Sequence, residues 1–503
     1  MRGALLIAGT TSDAGKSLVT AGICRWLARQ GVRVAPFKAQ NMSNNSMVCR
    51  DGAEIGRSQW LQAIAAGAEP EAAMNPVLLK PGTDRRSHVV LLGRPHGDLV
   101  AGEFATGRRH LAEAAFAALD DLRGRFDVVV CEGAGSPTEI NLRGGDYVNM
   151  GLARRAGLPV VVVGDIDRGG VFAAMYGTLA LLDGADQALL AGWIVNKFRG
   201  DPALLRPGLD MIGTATGRPV LGVLPWLPDV WLDSEDALAV AGWSEHRPGV
   251  GGTLRVAVVR FPRLSNATDV DALATEPGVA VSVTADADVV AAADLAVLPG
   301  TRATVADLEW ARRRGIADAV RARVAGGRPV LGICGGYQML AGRIDDPVES
   351  RAGTVDGLGL LPVDVTFDAA KHLARPTGEW RGHPVTAYEI HHGVARATEP
   401  LEPFLDGYRR DALWGTTWHG AFENDAFRRA WLATVAEQAG AAWTPDPSAP
   451  GFAARRAAML DRLADAVAEH LDTATLTRLI EHGPPPDLRA VPPGAPAPAP
   501  ART

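Results

Sequence analysis

The sequence predicts an α/β protein with two doubly wound parallel-sheet domains, followed by a helical appendage. Short, continuously apolar runs of the kind buried in parallel sheets alternate with longer stretches of helical periodicity. This alternation stops in a Gly- and Pro-rich stretch and then restarts. A chain of 503 residues is also too long for a single hydrophobic core. We therefore expect at least two domains.

The composition shifts give the expected domain boundaries. They place a phosphate-loop domain at 1–240, a linker at 241–252, a second domain at 253–445, a helical segment at 446–483 and a disordered tail at 484–503. The tail is expected to be disordered because it is rich in Pro and Ala and has few residues that can build a core.

Charge and hydropathy exclude several classes of partner. The net charge is −6, so the sequence has no excess of basic residues that would indicate binding to nucleic acid. It also has no block of charged residues that would indicate binding to a membrane surface. No apolar run approaches the roughly 18 residues of a spanning helix. The first apolar run leads straight into a Gly-rich loop, so we interpret it as a strand rather than a signal peptide. The four cysteines lack paired or metal spacing, which predicts a reducing, cytoplasmic location.

Residues 9–17, Gly-Thr-Thr-Ser-Asp-Ala-Gly-Lys-Ser, have the pattern of a phosphate-binding loop. They follow an apolar strand and precede an amphipathic helix over 18–29, so helix N–H groups point at the loop. The two glycines are separated by five residues instead of the usual four. Lys16 is expected to neutralise phosphate charge, and the Ser17 hydroxyl to ligate Mg²⁺. The predicted ATP-binding residues are Thr11, Asp13, Gly15, Lys16, Ser17, Lys38 and Asn196.

Two acidic residues are candidate ligands of Mg²⁺ together with Ser17. Glu132 ends a buried apolar strand, where a metal-binding carboxylate of this class of site stands, although it is also placed to cap the next helix. Glu54 begins a helix that runs to about Ala66, and an exposed first-turn acid is its alternative interpretation. ATP and Mg²⁺ are expected, with no tightly bound cofactor.

An amide-rich stretch follows Lys38, which stands at a strand end where it could hold a transferring phosphoryl group. Gln40, Asn41 and Asn44 are candidate substrate-binding residues because their amides can donate to carboxylates. A plain polar loop is the alternative for each of them.

Residues 329–339 predict a nucleophile elbow, in which a strand, a tight turn and a helix lift one side chain out at the sheet edge. Cys334 stands at that turn and two glycines follow it; the alternative is a buried structural cysteine. Backbone N–H groups near Gly300 and Gly335 are expected to converge on an oxyanion.

A cysteine that attacks an amide needs a histidine as its proton shuttle. His419 is the leading candidate because it follows an apolar strand and precedes a helix at the same type of sheet edge. His391 and His392 are expected to pack or to line the pocket. Glu423 is a candidate to orient His419, but three residues separate them, so its role stays open.

Together, the two sites predict a division of labour. A cysteine amidase releases ammonia from glutamine through a thioester, and a Mg-nucleotide site activates a carboxylate by phosphorylation. Neither chemistry alone makes an amide from a carboxylate, whereas the pair does.

Four motifs carry a family resemblance, at residues 37–45, 54–59, 332–338 and 419–425. Through them the sequence resembles the glutamine-hydrolysing cobyric acid synthase family along nearly its whole length. The phosphate loop is similar to that of dethiobiotin synthetase, and the second domain resembles class I, triad-type amidotransferases with Cys334 as nucleophile and His419 as base. It departs from them because Ala421, rather than Glu, stands two residues after His419.

The resemblance implies ATP-dependent amidation of the b, d, e and g carboxylates of adenosylcobyrinic acid a,c-diamide, which gives adenosylcobyric acid. The corrinoid, L-glutamine and ATP are then the partners. Cobyrinic acid a,c-diamide synthase is one alternative, and the amide-rich segment after Lys38 argues against it. A ParA-like nucleotide switch with an inactive amidase-like domain is another, and Cys334 with His419 argues against that.

Overall fold

The computed structural model describes residues 1–83, 86–100, 108–228, 230 and 252–492. The predicted linker at 241–252 lies outside these residues except for Gly252, and so does the end of the predicted tail, at 493–503.

The chain begins with the predicted alternation of strands and helices. The strands up to residue 228 are β1 (Gly3–Gly9), β2 (Val34–Phe37), β3 (Gln40–Met42), β4 (Ser46–Val48), β5 (Glu54–Gly56), β6 (Val77–Thr83), β7 (Arg86–Leu91), β8 (Arg94–Val100), β9 (Val128–Glu132), β10 (Val160–Asp165), β11 (Leu190–Phe198) and β12 (Val220–Pro225). The α-helices are α1 (Lys16–Arg29), α2 (Arg57–Ala66), α3 (Arg109–Arg125), α4 (Met150–Ala156), α5 (Val171–Leu181), α6 (Gly184–Gln187) and α7 (Pro202–Thr216).

From residue 252 the pattern restarts and then becomes richer in strands. These strands are β13 (Leu254–Val259), β14 (Val279–Thr284), β15 (Leu295–Leu298), β16 (Val330–Ile333), β17 (Arg343–Asp346), β18 (Gly353–Asp356), β19 (Val363–Ala374), β20 (Thr377–Trp380), β21 (His383–Thr386), β22 (Glu389–Ala397), β23 (Glu402–Phe404), β24 (Gly407–Arg410) and β25 (Leu413–Thr416). The helices are α8 (Asp271–Ala274), α9 (Ala287–Ala292), α10 (Thr304–Arg313), α11 (Ile316–Ala325), α12 (Gly335–Met339), α13 (Asp425–Ala439), α14 (Phe452–His470) and α15 (Thr473–His482).

The described residues divide into two compact units that are not continuous in sequence. The first comprises those of Met1–Ser43, Ala53–Trp231 and Ala457–Thr503, and the second those of Asn44–Gly52 and Leu232–Arg456. A short segment of the N-terminal half thus belongs with the second unit, and most of the C-terminal helical region belongs with the first.

The first unit is built on a parallel sheet in the order β12-β11-β10-β1-β9-β2. Its central strands are the apolar runs of the sequence, and all five residues of β9 and all six of β10 are buried. β1 lies between β9 and β10, and the connection that follows β9 crosses to the other side of β1. Ligands of open α/β sheets bind at such a switch point, at the carboxyl ends of the strands. The loop after β1 occupies that position.

The second unit has a sheet in the order β14-β13-β15-β16-β25-β24-β23. The strands from β14 to β25 are parallel, whereas β24 and β23 add in antiparallel fashion. A separate sheet runs β18-β17-β19-β22. The predicted class, two doubly wound α/β domains with a helical C-terminal region, is confirmed, and this extra sheet is a feature that the sequence analysis did not include.

The C-terminal region differs from the prediction in two details. The helical segment is broken into α14 and α15 at Asp472, whose carboxylate accepts from the Thr475 N–H and so begins a new helix. One residue of the segment predicted to be disordered is packed in place. Val491 is buried, and Gln187 binds its backbone N–H at 2.8 Å and its carbonyl at 3.3 Å.

Candidate active site

The loop after β1 folds around the side chain of Lys16. Gly15 has φ 95°, a left-handed conformation that glycine adopts without strain, and α1 begins at the next residue. The Lys16 ammonium donates to the carbonyl of Thr11 and to that of Gly135, each at 3.0 Å. The cation is therefore held inside the loop, at the N-terminal end of a helix, as a phosphate site requires.

Other predicted ATP-binding residues shape this loop. Asn196, at the carboxyl end of β11, donates its amide to the Ala14 carbonyl at 2.9 Å. Asp13 has φ 60°, its carboxylate pairs with Arg168 at 2.6 Å, and its carbonyl accepts from Lys197 at 2.7 Å. Asn196 thus fixes the loop backbone, a contact that the sequence analysis did not foresee.

Glu132 is the centre of a buried polar cluster beside the loop. Ser17 Oγ and Lys38 Nζ both donate to its Oε1 at 2.8 Å, and Gln62 Nε2 donates to its Oε2 at 2.6 Å. Burial alone raises the pKa of the Glu132 carboxyl, but Lys38 and the hydrogen bonds outweigh it and lower that pKa. Glu132 is therefore ionised at neutral pH.

This cluster fits a bound Mg²⁺ ion. The hydroxyl of Ser17 and an ionised carboxylate are adjacent, and protein-bound Mg²⁺ is held by one or two such groups together with substrate phosphates and water. The described residues contain no group of three or more His, Cys, Asp or Glu placed to hold a metal by themselves. Glu54, the other predicted ligand, lies in the short strand β5 rather than in a helix. It is fully buried against Lys80, with Nζ 2.5 Å from its carboxylate.

The three predicted substrate-binding amides are divided between the two units. Gln40 accepts from the Tyr147 hydroxyl at 2.5 Å, and Asn41 donates to Gln59 at 2.9 Å, both within the first unit. Asn44 belongs to the second unit.

In the second unit, Cys334 stands at a sharp turn between β16 and α12. Its φ of 49° and ψ of −110° are unusual for a residue with a side chain, as at a nucleophile elbow. The glycines around it are needed for close packing. A Cβ on Gly336 would lie 1.9 Å from the Leu298 carbonyl oxygen, and one on Gly332 would lie 2.7 Å from Tyr337 Cα.

His419 is fully buried and held from several directions. Its Nδ1 lies 2.6 Å from a carboxylate oxygen of Asp269, whose other oxygen accepts from the Gly420 N–H at 2.9 Å. Its ring stacks on Tyr388, with centroids 5.3 Å apart. Burial disfavours the imidazolium, but Asp269 and Cys334, through charge and hydrogen bonding, raise the pKa of His419 to about 10.

The carboxylate that contacts His419 is therefore Asp269, and this corrects the candidate role of Glu423. Glu423 ends a short 3-10 helix and pairs with Arg456 at 2.8 Å. Asp269 lies on another 3-10 helix, Ala267–Val270, which follows β13 at the carboxyl edge of the sheet. The polar stretch after that apolar strand was the signal in the sequence that could have identified it.

His391 and His392, the other two histidines considered in the sequence, lie in β22 directly after Ile390. The Ile390 carbonyl lies 4.0 Å from Cys334 Sγ, and the next residue, His391, stacks on His372 with centroids 5.2 Å apart. Burial lowers the pKa of His391 to about 4, so its ring is neutral. His392 Nδ1 lies 2.9 Å from the Asp368 carbonyl oxygen.

The two predicted oxyanion positions also lie at this edge. A Cβ on Gly300 would lie 3.1 Å from His419 Cε1, and one on Gly335 would lie 3.1 Å from the backbone nitrogen of Thr301. Gly300 thus adjoins the histidine, and Gly335 adjoins the residue after Gly300.

The fold and these sites are those of a two-part class of protein: a phosphate-loop nucleotide-binding domain joined to a glutamine amidotransferase-like domain. Family models agree. Residues 5–239 match the CobQ/CobB/MinD/ParA nucleotide binding domain, and residues 255–427 match the CobB/CobQ-like glutamine amidotransferase domain.

Curated relatives match along the whole chain. A cobyric acid synthase of Cutibacterium acnes is 62% identical over 95% of this chain and 99% of its own. Those of Streptomyces coelicolor and Mycobacterium bovis are 60% and 58% identical, over 99% and 98% of this chain and 100% and 99% of theirs. The chain belongs to the cobyric acid synthase family, a family of glutamine-dependent amidating ligases. Among the described residues, no helix has the length and apolar character needed to cross a membrane.

Proposed function

We propose that this protein uses ATP and glutamine to amidate the b, d, e and g carboxylates of adenosylcobyrinic acid a,c-diamide, and so produces adenosylcobyric acid. The observation that carries the amidotransferase chemistry is the contact of His419 with Asp269 beside the elbow cysteine. A nucleophile, a histidine and an orienting carboxylate are the groups that amide hydrolysis needs. The relatives named cobyric acid synthase, matched over nearly the full chain, support the corrinoid substrate.

In the glutaminase step, the Cys334 thiolate attacks the carboxamide carbon of glutamine. Because the pKa of His419 is about 10, the ring is protonated at neutral pH and stabilises the thiolate as an ion pair. His419 then gives its proton to the departing nitrogen as the C–N bond breaks, which leaves a glutamyl thioester and ammonia. The neutral ring next takes a proton from water, which hydrolyses the thioester to glutamate. Backbone N–H groups near Gly300 and Gly335 hold the oxyanion.

In the synthetase step, the substrate carboxylate attacks the γ-phosphorus of ATP, and ADP leaves. Lys16 and Lys38 hold the phosphates. Ser17 and Glu132 would hold Mg²⁺, which would neutralise phosphate charge. Glu54, the other candidate ligand, is paired with Lys80 in the structure. Ammonia then attacks the acyl phosphate, inorganic phosphate leaves, and an amide remains.

Two variants test this division of labour. Cys334→Ser is expected to lose glutamine-dependent synthesis while it still uses ammonium, because the synthetase site does not need the thiol. Lys16→Ala is expected to lose synthesis with either nitrogen source. The measurement is ADP and amide formation with each source. A folded Cys334→Ser protein that fails with ammonium would contradict independent sites, and a wild-type protein without glutaminase activity would favour the nucleotide switch.

A further inference from the structure

The segment Asn44–Gly52 belongs to the second unit although the residues before and after it in sequence belong to the first. Its strand β4 is fully buried. Two polar groups of the segment bind one loop of the second unit. Asn45, which is 5% exposed, accepts from the Ala267 N–H through its side-chain oxygen at 3.2 Å, and the Ser46 N–H donates to the side-chain oxygen of Asn266 at 3.0 Å.

The loop that receives these bonds, residues 265–269, contacts the glutaminase site at both ends. At its start, the Ser265 N–H donates to the carbonyl of Gly300, the candidate oxyanion position, at 2.9 Å. At its end, Asp269 contacts His419 and the Gly420 N–H. The two residues bound by the segment are the middle of the loop. One of them, Asn266, has φ 49°, a left-handed conformation that persists where the surroundings hold it.

We infer that Asn45 is a positioning residue of the glutaminase site, which together with Ser46 fixes loop 265–269 so that Asp269 stays against His419. The inference rests on the proposed glutaminase activity. Its physical basis is the buried Ala267 N–H, because loss of its acceptor leaves a desolvated donor and so favours a rearrangement of the loop. Such a movement displaces the carboxylate two residues further on.

The environment of His419 makes this displacement measurable. Asp269 comes from the loop, Cys334 from the elbow, and the other groups from β22 and the residue before it. β4 also lies against β22, the strand that begins directly after Tyr388, whose ring stacks on His419. The titratable groups that face or influence His419 are Asp269, Cys334, Tyr388, Glu389 and His391.

The test compares Asn45→Ala with two other variants in the full-length protein. Asn45→Ala is expected to lower the glutaminase kcat about tenfold with little change in KM for glutamine. The alkaline limb of its pH profile is expected to move to lower pH, because a displaced Asp269 supports the imidazolium less well. Asn45→Asp keeps the acceptor oxygen and is expected to restore most of the rate. Arg50→Ala changes an exposed residue of the same segment and is the matched control.

Ammonium-dependent synthesis separates positioning from loss of the fold, since it is expected to stay at the wild-type rate in all three variants. A glutaminase rate and pH profile unchanged in Asn45→Ala would overturn the inference, and so would an equal loss of ammonium-dependent synthesis. Asn266→Gly, which accepts the left-handed backbone but lacks the acceptor for Ser46, provides a second test and should lower kcat in the same way. A wild-type protein without glutaminase activity would instead refute the proposed function on which the inference rests.

Discussion

Replacement of Asp269 by Asn is the sharpest perturbation of the glutaminase site, because it removes one charge and keeps the shape. The pKa of His419 is raised from 6.5 to about 10 against the effect of burial. At about 1.36 kcal/mol for each pKa unit, this difference corresponds to roughly 5 kcal/mol in favour of the protonated ring. A hydrogen bond to a charged group contributes about 1.5–3 kcal/mol, so loss of the Asp269 charge is expected to slow glutamine hydrolysis by roughly 10- to 150-fold.

The assay is glutamate release from glutamine across a range of pH. The ion pair needs a charged ring, so on the alkaline side wild-type activity is expected to fall as pH rises through about 10. Because Asp269 raises the pKa of His419, its removal lowers that pKa, and the alkaline limb of Asp269→Asn moves to lower pH. Glu423→Gln is the comparison, and near-normal activity is expected because Glu423 pairs with Arg456. A normal rate in Asp269→Asn, or a larger loss in Glu423→Gln, would refute this assignment.

Three further predictions concern the synthetase site and the fold. Glu132→Gln should lower ammonium-dependent ADP formation by about 100-fold or more, because it removes the negative charge that binds three donors. Glutaminase activity should stay intact, and an unchanged rate of ADP formation would contradict the assignment of this site. Arg218→Ala leaves several buried carbonyl groups without their hydrogen-bond donor and should lower the free energy of unfolding, measured by calorimetry, by about 3 kcal/mol. The control is Arg25→Ala, which removes a partly exposed ion pair and should cost less than about 1 kcal/mol. Equal losses in the two variants would contradict the structural role of Arg218. Gly336→Ala should destabilise the protein because the added Cβ would collide with the Leu298 carbonyl oxygen. Gly124→Ala, in a helix with open space around the position, should raise the free energy of unfolding by about 0.5–1 kcal/mol. Equal melting temperatures for the two variants would show that the close approach at Gly336 is unimportant.

The architecture was predictable because its signals are local. Apolar runs such as β9 and β10 are continuous in sequence, and buried parallel strands require continuous apolar runs. The elbow at Cys334 and the loop at Lys16 were predictable for the same reason, since a strand, a glycine turn and a helix follow one another directly along the chain.

The partner of His419 was not predictable in this way. Asp269 precedes it by 150 residues, and only the fold brings the two together. The position two residues after the histidine, where the related amidotransferases carry an acid, is Ala421 in this chain, so Glu423 was only a candidate. Glu423 ends a short 3-10 helix, and its carboxylate pairs with Arg456. Gln62 was missed because it lies inside α2 with no local pattern to mark it, although it binds the Glu132 carboxylate.

The amide-rich stretch after Lys38 shows a different limit of prediction from sequence. Its residue types predicted polar contacts, and Gln40 and Asn41 do bind side chains of the first unit. Asn45, only a few residues further on, binds the loop of Asp269 instead. Composition indicates that such a stretch makes hydrogen bonds, but only tertiary structure decides with which element.

The central claim is that this chain amidates a corrinoid with nitrogen from glutamine at the expense of ATP. Mass spectrometry of adenosylcobyrinic acid a,c-diamide, incubated with the protein, ATP, Mg²⁺ and glutamine labelled at the amide nitrogen, tests it most directly. We expect a ladder of labelled products that ends at four added amides. If the corrinoid is unchanged while glutamine and ATP are both consumed, the proposed substrate is wrong and the two-site amidotransferase chemistry is retained. If the corrinoid is unchanged and neither glutamine nor ATP is consumed, both the substrate and the two-site chemistry are contradicted.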